Sequence, residues 1–189
     1  RREVGRAFET LEVAHGHRHE IRRHLRRGRE LHRMLPGPWP WRVRDDAAVR
    51  DRDVAAIDGQ RVFVSFGSAG MSCFDFEGQE LWKRNDLGKW EHPFGNASSP
   101  VLYGELAILW CGPNEKVGRN FLLAVDKQTG KTVWEHDEKS GSWGTPLIAK
   151  VDGRDQLLLG MSPHLKGFDP QTGQELWFCN GLTIYVYTS

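Results

Sequence analysis

Residues 124–134 read Ala-Val-Asp-Lys-Gln-Thr-Gly-Lys-Thr-Val-Trp, and this stretch recurs twice in the chain. Residues 167–177 read Gly-Phe-Asp-Pro-Gln-Thr-Gly-Gln-Glu-Leu-Trp. Residues 73–82 form a copy one residue shorter, Cys-Phe-Asp-Phe-Glu-Gly-Gln-Glu-Leu-Trp. The tryptophans that close the three copies are 52 and 43 residues apart. Because self-similarity at a spacing of this order is typical of repeat architectures, the repeat frames every other motif in the chain.

The residues that the copies share predict a strand, a tight turn and a second strand. The Asp closes the first strand, and its carboxylate can accept backbone N–H groups of the turn. The Gly supplies the positive φ that the hairpin needs. The Trp lies on the second strand, where its ring can pack against a neighbouring sheet. A structural role is therefore assigned to Asp75, Gly78, Trp82, Asp126, Thr129, Gly130, Trp134, Asp169, Thr172, Gly173 and Trp177.

Short β-rich runs flank each copy and extend it to a unit of four strands. In one unit, strands are predicted at residues 98–103, 106–110, 121–126 and 131–136. In the next, they are predicted at residues 145–150, 156–160, 165–169 and 174–178. A four-stranded antiparallel unit that repeats at this spacing is typical of a propeller blade. The sequence therefore predicts an all-β fold, a partial β-propeller of about three blades of an expected eight.

A change of composition near residue 55 divides the chain. Residues 1–54 contain 14 Arg, no Lys and 9 acidic residues, a net charge of +5, whereas residues 55–189 carry a net charge of −4. The first 60 residues also contain no Ser, Asn, Tyr or Cys. We therefore predict a non-propeller basic tract at residues 1–54 and propeller repeats at residues 55–189.

Three interpretations of the Arg-rich tract stay open. A basic amphipathic helix is indicated by the helical spacing of Val4, Phe8 and Leu11, and arginines such as Arg22 and Arg26 could then contact nucleic-acid phosphates. No aromatic residues interleave with these arginines, so nucleic-acid binding is the least favoured interpretation. The second is a solvated or disordered basic arm. The third is a translation product of the wrong reading frame, since a GC-rich gene can give an Arg-rich, Lys-free sequence in this way.

Several other classes of protein find no support in the sequence. No stretch approaches the roughly 20 apolar residues that a membrane helix needs. Cys73, Cys111 and Cys179 are too far apart along the chain for a recognisable metal cluster or disulfide framework. Both ends of the chain interrupt the expected pattern, so we expect a fragment of a longer protein whose remaining blades are its neighbours.

The repeat resembles that of the quinoprotein, or PQQ-like, family, which has the form Ala-x-Asp-x-x-Thr-Gly-Lys-x-x-Trp. Residues 124–134 match every specified position. The copy that ends at Trp177 has Gly167 and Gln174 in place of the Ala and Lys, and the copy that ends at Trp82 lacks the Thr. The resemblance, which extends to propellers of planctomycete-type bacteria, covers the propeller repeats and none of the Arg-rich tract.

This resemblance implies one of two kinds of protein. Quinoprotein dehydrogenases hold pyrroloquinoline quinone (PQQ) and Ca²⁺ in the central funnel of an eight-bladed propeller, whereas other members, including an outer-membrane assembly lipoprotein, carry no cofactor. The dehydrogenases need oxygen ligands for Ca²⁺, an Asp as general base and, in many members, a disulfide between adjacent cysteines. This chain has no adjacent cysteine pair, and Glu91, Glu105 and Glu115 are scattered. We therefore expect no cofactor, with PQQ and Ca²⁺ as the alternative, and an exported or periplasmic location.

A binding site is expected where the chain enters each innermost strand, at the mouth of the funnel. Residues 89–96 and 141–144 are such segments, and the loop at residues 111–119 joins the same face and offers Asn114 and Arg119. The candidate binding residues are Trp90, His92, Asn96 and Trp143, which could stack on and hydrogen-bond a planar or sugar-like ligand. In the alternative, both tryptophans pack the blades and His92 is simply exposed.

Taken together, these features favour a non-catalytic role. The repeat residues are parts of the blades, and the funnel mouth or the blade rim is left to bind a protein or a small molecule. The alternative function is that of a fragment of a PQQ- and Ca²⁺-dependent dehydrogenase.

Overall fold

The computed structural model describes residues 54–90, 92, 95–114 and 118–182. These residues form three four-stranded antiparallel sheets, in each of which the strands pair in chain order. The Arg-rich tract, and with it the three interpretations of that tract, lies outside the described residues. So do Glu91 and Glu115, two of the carboxylates considered in the sequence.

Each sheet corresponds to one unit of the repeat. Blade 1 contains β1 (Val54–Ile57), β2 (Val62–Ser65), β3 (Met71–Phe74) and β4 (Glu80–Arg84), with a 3-10 turn at Gly67–Ala69. Blade 2 contains β5 (Val101–Tyr103), β6 (Leu106–Cys111), β7 (Asn120–Asp126) and β8 (Thr132–Glu138). Blade 3 contains β9 (Leu147–Val151), β10 (Arg154–Met161), β11 (His164–Phe168) and β12 (Glu175–Asn180). The predicted fold class and the predicted strands of blades 2 and 3 are confirmed.

Blade 2 is buried on both faces because side chains alternate along a strand. In β6, Ala107, Leu109 and Cys111 belong to an apolar cluster shared with blade 1, and Leu106, Ile108 and Trp110 belong to one shared with blade 3. The innermost strands β1, β5 and β9 contact one another in that order. The blades therefore pack face to face with their inner edges together, as blades of a propeller do.

The repeated tryptophans join neighbouring blades. The indole N–H of Trp82, on blade 1, donates to the carbonyl oxygen of Lys127 on blade 2 at 2.9 Å. The indole N–H of Trp134, on blade 2, donates to the carbonyl oxygen of Pro170 on blade 3 at 3.2 Å. Both acceptors directly follow the repeated Asp. The predicted packing of these rings against the next blade is confirmed.

The repeated glycine supports the tryptophan of the preceding blade, a role that the sequence did not indicate. A Cβ atom on Gly130 would lie 2.7 Å from the ring of Trp82, and one on Gly173 would lie 2.4 Å from the ring of Trp134. Gly130 also has a φ of +70°, as predicted for the turn. The same residue therefore shapes its own hairpin and leaves space for the ring from the neighbouring blade.

The repeated Asp closes the turn in the predicted manner. The Oδ1 atom of Asp126 accepts the backbone N–H groups of Gln128 and Thr129 at 3.1 and 2.8 Å, and the hydroxyl of Thr129 at 2.7 Å. The Thr129 hydroxyl is the main reason why the pKa of Asp126 is held below its ordinary value. Asp169 makes the equivalent backbone contacts in blade 3, with Gln171 and Thr172.

Trp177 differs from the other two repeated tryptophans. Its indole N–H donates to Gln156 in the same blade at 2.7 Å. Its ring covers Gly167, where a Cβ atom would lie 2.4 Å away. The described residues contain no further turn on this side of blade 3, so the ring packs on its own sheet.

A charged cluster forms a second contact between blades 2 and 3. The Nζ atom of Lys166, on β11, lies 2.6 Å from Oε1 of Glu138 on β8 and 2.8 Å from Oε2 of Glu175 on β12. The Nε2 atom of His136 lies 3.3 Å from the same Glu138 oxygen. Burial lowers the pKa of Lys166, but its hydrogen bonds to the two carboxylates outweigh burial and hold that pKa above its ordinary value. The ammonium therefore stays charged between the carboxylates.

We predict that Gly130→Ala destabilises the protein by about 1–3 kcal/mol more than Gly153→Ala. Both substitutions impose a positive φ on alanine, since Gly153 has a φ of +77°. Only Gly130 lies against a ring, because a Cβ atom on Gly153 would have no neighbour within 4 Å. Urea unfolding followed by circular dichroism measures the difference, and equal losses would show that the contact between Gly130 and Trp82 does not stabilise the fold.

We also predict that Lys166→Met lowers the free energy of unfolding by about 1–2 kcal/mol, because it leaves Glu138 and Glu175 together without a cation. The matched control is Lys150→Met, since Lys150 pairs with Asp155 at 2.9 Å while its side chain is 66% exposed. Loss of that pair is expected to change the urea midpoint little. A Lys166→Met midpoint that matches the control would contradict the structural role of the cluster.

Candidate functional site

The structure brings together two of the four candidate residues, His92 and Trp143. Their ring centroids are 4.5 Å apart, and the rings meet edge to face at 80°. The indole N–H of Trp143 donates to the carbonyl oxygen of Gly95 at 3.1 Å, which ties the segment before blade 3 to the segment before blade 2. Both rings are half-buried, so part of each faces solvent.

The other two candidates, Trp90 and Asn96, are buried. Trp90 is 8% exposed and belongs to the apolar cluster between blades 1 and 2. The Oδ1 atom of Asn96 accepts the backbone N–H of Ser98 at 3.0 Å, and its Nδ2 atom donates to the carbonyl oxygen of Gly112. Asn96 therefore fixes the chain as it enters β5, whereas Trp90 packs beneath it.

Ser142 occupies the position before blade 3 that Asn96 occupies before blade 2. Its Oγ atom donates to the carbonyl oxygen of Gly160 at 2.6 Å and accepts the backbone N–H of Gly144 at 3.0 Å. Its own carbonyl oxygen accepts the indole N–H of Trp110 at 2.8 Å. The sequence analysis missed Ser142, although both residues stand four positions before a repeated proline, Pro100 or Pro146.

Trp90 also lines a cavity of about 290 Å³ with Asn114 and Arg119, the two residues that the sequence placed on the neighbouring loop. The guanidinium of Arg119 lies 4.5 Å from the centroid of the Phe121 ring and 2.7 Å from Asp137. The six funnel-mouth residues thus fall into an aromatic pair, a buried amide and a cavity wall.

The described residues do not fit a Ca²⁺ site of the dehydrogenase kind. In this part of the chain, His136, Glu138 and Glu175 are the one group of three metal-ligating side chains whose atoms lie within 4.8 Å of one another. The ammonium of Lys166 already lies between the two carboxylates. The side-chain oxygen of Asn96, which sequence analysis placed at the funnel mouth, is bonded to its own backbone.

The cysteines are not arranged for nucleophilic chemistry. Cys73 and Cys111 are buried between blades 1 and 2, and Cys179 is exposed; all three are free. Burial raises the pKa of the Cys73 thiol to about 12, and it raises the pKa of Cys111 well above its ordinary value. Both thiols therefore stay protonated at neutral pH, in keeping with their strand positions in the core.

Among the described residues, no helix has the length and apolar character that spanning a membrane requires.

Comparison with known proteins identifies the family. Residues 25–179 match the model of a PQQ-like repeat family described as "Outer membrane protein assembly factor BamB". The match begins inside the Arg-rich tract, whereas the sequence analysis expected the resemblance to begin near residue 55. The chain is also 39% identical over 57 residues to a quinoprotein ethanol dehydrogenase of Pseudomonas putida, which covers 30% of this chain and 9% of that protein.

Solved structures share the fold. BamB from Moraxella catarrhalis is 19% identical with a TM-score of 0.50, and the match covers 69% of this chain and 37% of BamB. A quinohemoprotein alcohol dehydrogenase from Comamonas testosteroni is 14% identical with a TM-score of 0.53, over 67% of this chain and 26% of the enzyme. The chain thus spans well under half the length of each of these proteins. Since the family model covers most of the chain, the chain belongs to the PQQ-like β-propeller repeat family.

Proposed function

We propose that this chain is a non-catalytic propeller segment that binds a protein through the segments leading into blades 2 and 3. The observation that carries the proposal is the half-buried pair of His92 and Trp143, whose rings meet at 4.5 Å. An aromatic ring that is partly exposed and fixed in place offers a large contact area with little loss of side-chain entropy on binding.

The backbone around this pair is fixed on both sides. Asn96 holds the segment before blade 2 through Ser98 and Gly112, and Ser142 holds the segment before blade 3 through Gly144 and Gly160. The bond from Trp143 to Gly95 joins the two segments. A partner would therefore meet a surface that is already in its bound shape, which favours affinity.

A protein is the favoured partner because the family model is that of an outer membrane protein assembly factor. Such a role agrees with an exported or periplasmic location and with further blades that complete the propeller. The funnel side supports binding better than the rim, since the His92–Trp143 pair lies at the strand entrances.

A second candidate function is that of a segment of a PQQ-dependent dehydrogenase. The identity of 39% to the quinoprotein ethanol dehydrogenase favours it. It is the weaker candidate, because the described residues do not fit the Ca²⁺ that such enzymes use. PQQ, if bound, would supply the oxidising chemistry, and the edge-paired rings of His92 and Trp143 could only pack against it.

We predict that a photo-crosslinking amino acid at position 92 of the full-length protein forms a covalent adduct with another protein in the producing organism. The same amino acid at position 131, on the exposed turn of blade 2, is the matched control and is expected to give no such adduct. Trp143→Leu should reduce crosslinking from position 92 by about five-fold or more, since it removes the ring that positions the contact. Immunoblotting and mass spectrometry measure the adducts.

The alternative gives the opposite result in a second measurement. Addition of PQQ and Ca²⁺ to the purified full-length protein should produce no dye-linked oxidation of alcohols or sugars. Oxidation that depends on both additions, together with the absence of adducts from position 92, would replace the binding function by the dehydrogenase function.

A further inference from the structure

A cavity between blades 1 and 2 has the features of a small ligand site. Its volume of about 290 Å³ lies at the lower end of the range of known ligand pockets. The segment after β4, from Asp86 to Trp90, forms one wall, and Phe121 and Glu135 of blade 2 form the other. It shares no residue with the His92–Trp143 pair.

The indole N–H of Trp90 is the first feature that points to a ligand. Trp90 lines the cavity and is 8% exposed, and its Nε1 atom has no acceptor in the structure. A buried indole N–H ordinarily finds a partner, because leaving it unpaired costs about 1–3 kcal/mol. The tryptophans of the blade interfaces follow this rule, since Trp82 and Trp134 each donate to a carbonyl oxygen. Trp90 is therefore suited to donate to an acceptor on a bound molecule.

The charges around the cavity favour an anion. Arg84 is paired with Asp86 at 2.7 Å, and Arg119 is paired with Glu135 at 2.9 Å, so these four side chains neutralise one another. Lys89 is the remaining cation of the lining, and it has no ion pair within the described residues. One cation beside one N–H donor matches a carboxylate better than a doubly charged phosphate.

The apolar part of the lining defines the rest of the ligand. Leu87, Trp90 and Phe121 contribute a leucine side chain and two aromatic faces. Aromatic walls favour flat apolar groups, which stack on them or meet them edge to face. We propose that this cavity binds a small aromatic carboxylate, with the carboxylate between Lys89 and the indole N–H of Trp90 and the ring against Phe121.

Two sources can supply this chemistry, a free aromatic acid or the C-terminal carboxylate of a peptide that ends in phenylalanine. The probes are therefore benzoate and the peptide acetyl-Gly-Gly-Phe. Benzyl alcohol and the same peptide with an amidated C-terminus are their uncharged counterparts, and inorganic phosphate tests for a general anion effect.

The test follows the indole N–H resonance of Trp90 in ¹H–¹⁵N correlation spectra of the full-length protein, assigned by its loss in Trp90→Phe. Benzoate or the free peptide should shift this resonance in a saturable manner, and the tighter of the two identifies the source. Lys89→Gln, an exposed substitution that leaves the fold intact, should weaken binding about five-fold. Lys131→Gln, an exposed lysine outside the cavity, should leave binding unchanged.

Three results would overturn the proposal. They are a Trp90 resonance that neither acid shifts, shifts of equal size from acids and uncharged counterparts or from phosphate, and an affinity that Lys89→Gln does not change. None of these bears on crosslinking from position 92, so the two proposals stand or fall separately.

Discussion

The fold depends on a contact between a tryptophan ring on one blade and a glycine on the next. Each sheet of four short strands has two apolar faces, and neither face is shielded from water until another blade covers it. The ring of Trp82 lies over Gly130 and its N–H reaches the carbonyl of Lys127, so one side chain fixes both the distance and the register between two blades. Trp134 does the same with Gly173. Because blades are placed in this way, the segments that enter their innermost strands converge.

The two blade interfaces use different side chains at equivalent positions. Two residues after the repeated tryptophan, blade 1 has Arg84, which donates to the carbonyl of Gly130 and the hydroxyl of Thr132 on blade 2. Blade 2 has His136 at that position, and the cation comes from Lys166 on blade 3. Lys166 precedes its repeated Asp by three residues, as the buried Leu123 does in blade 2. An apolar position has therefore become a charged one, and Glu138 and Glu175 compensate for it.

The sequence predicted the parts of the fold that depend on local spacing. The strands of blades 2 and 3, the Asp turns and the inter-blade role of Trp82 and Trp134 follow from the repeat. It could not predict that Gly130 supports Trp82, since that contact joins residues 48 positions apart on different sheets. The site was predicted in part. His92 and Trp143 meet as expected of neighbouring entrances, but whether Trp90 points to solvent or to the core depends on how two blades pack.

The contrast between repeated and unrepeated residues separates structure from recognition. Residues that recur at fixed positions, such as Asp126 and Trp134, have their polar atoms bonded within the blades. Lys89, Trp90 and His92 occur in none of the repeats, and two of them retain an unpaired N–H donor or a cation without an ion pair in the described part of the chain. Unused polar groups of this kind are costly in a region that serves packing alone. Selection for stability therefore explains the repeats, whereas the residues between blades 1 and 2 are better explained by a bound molecule.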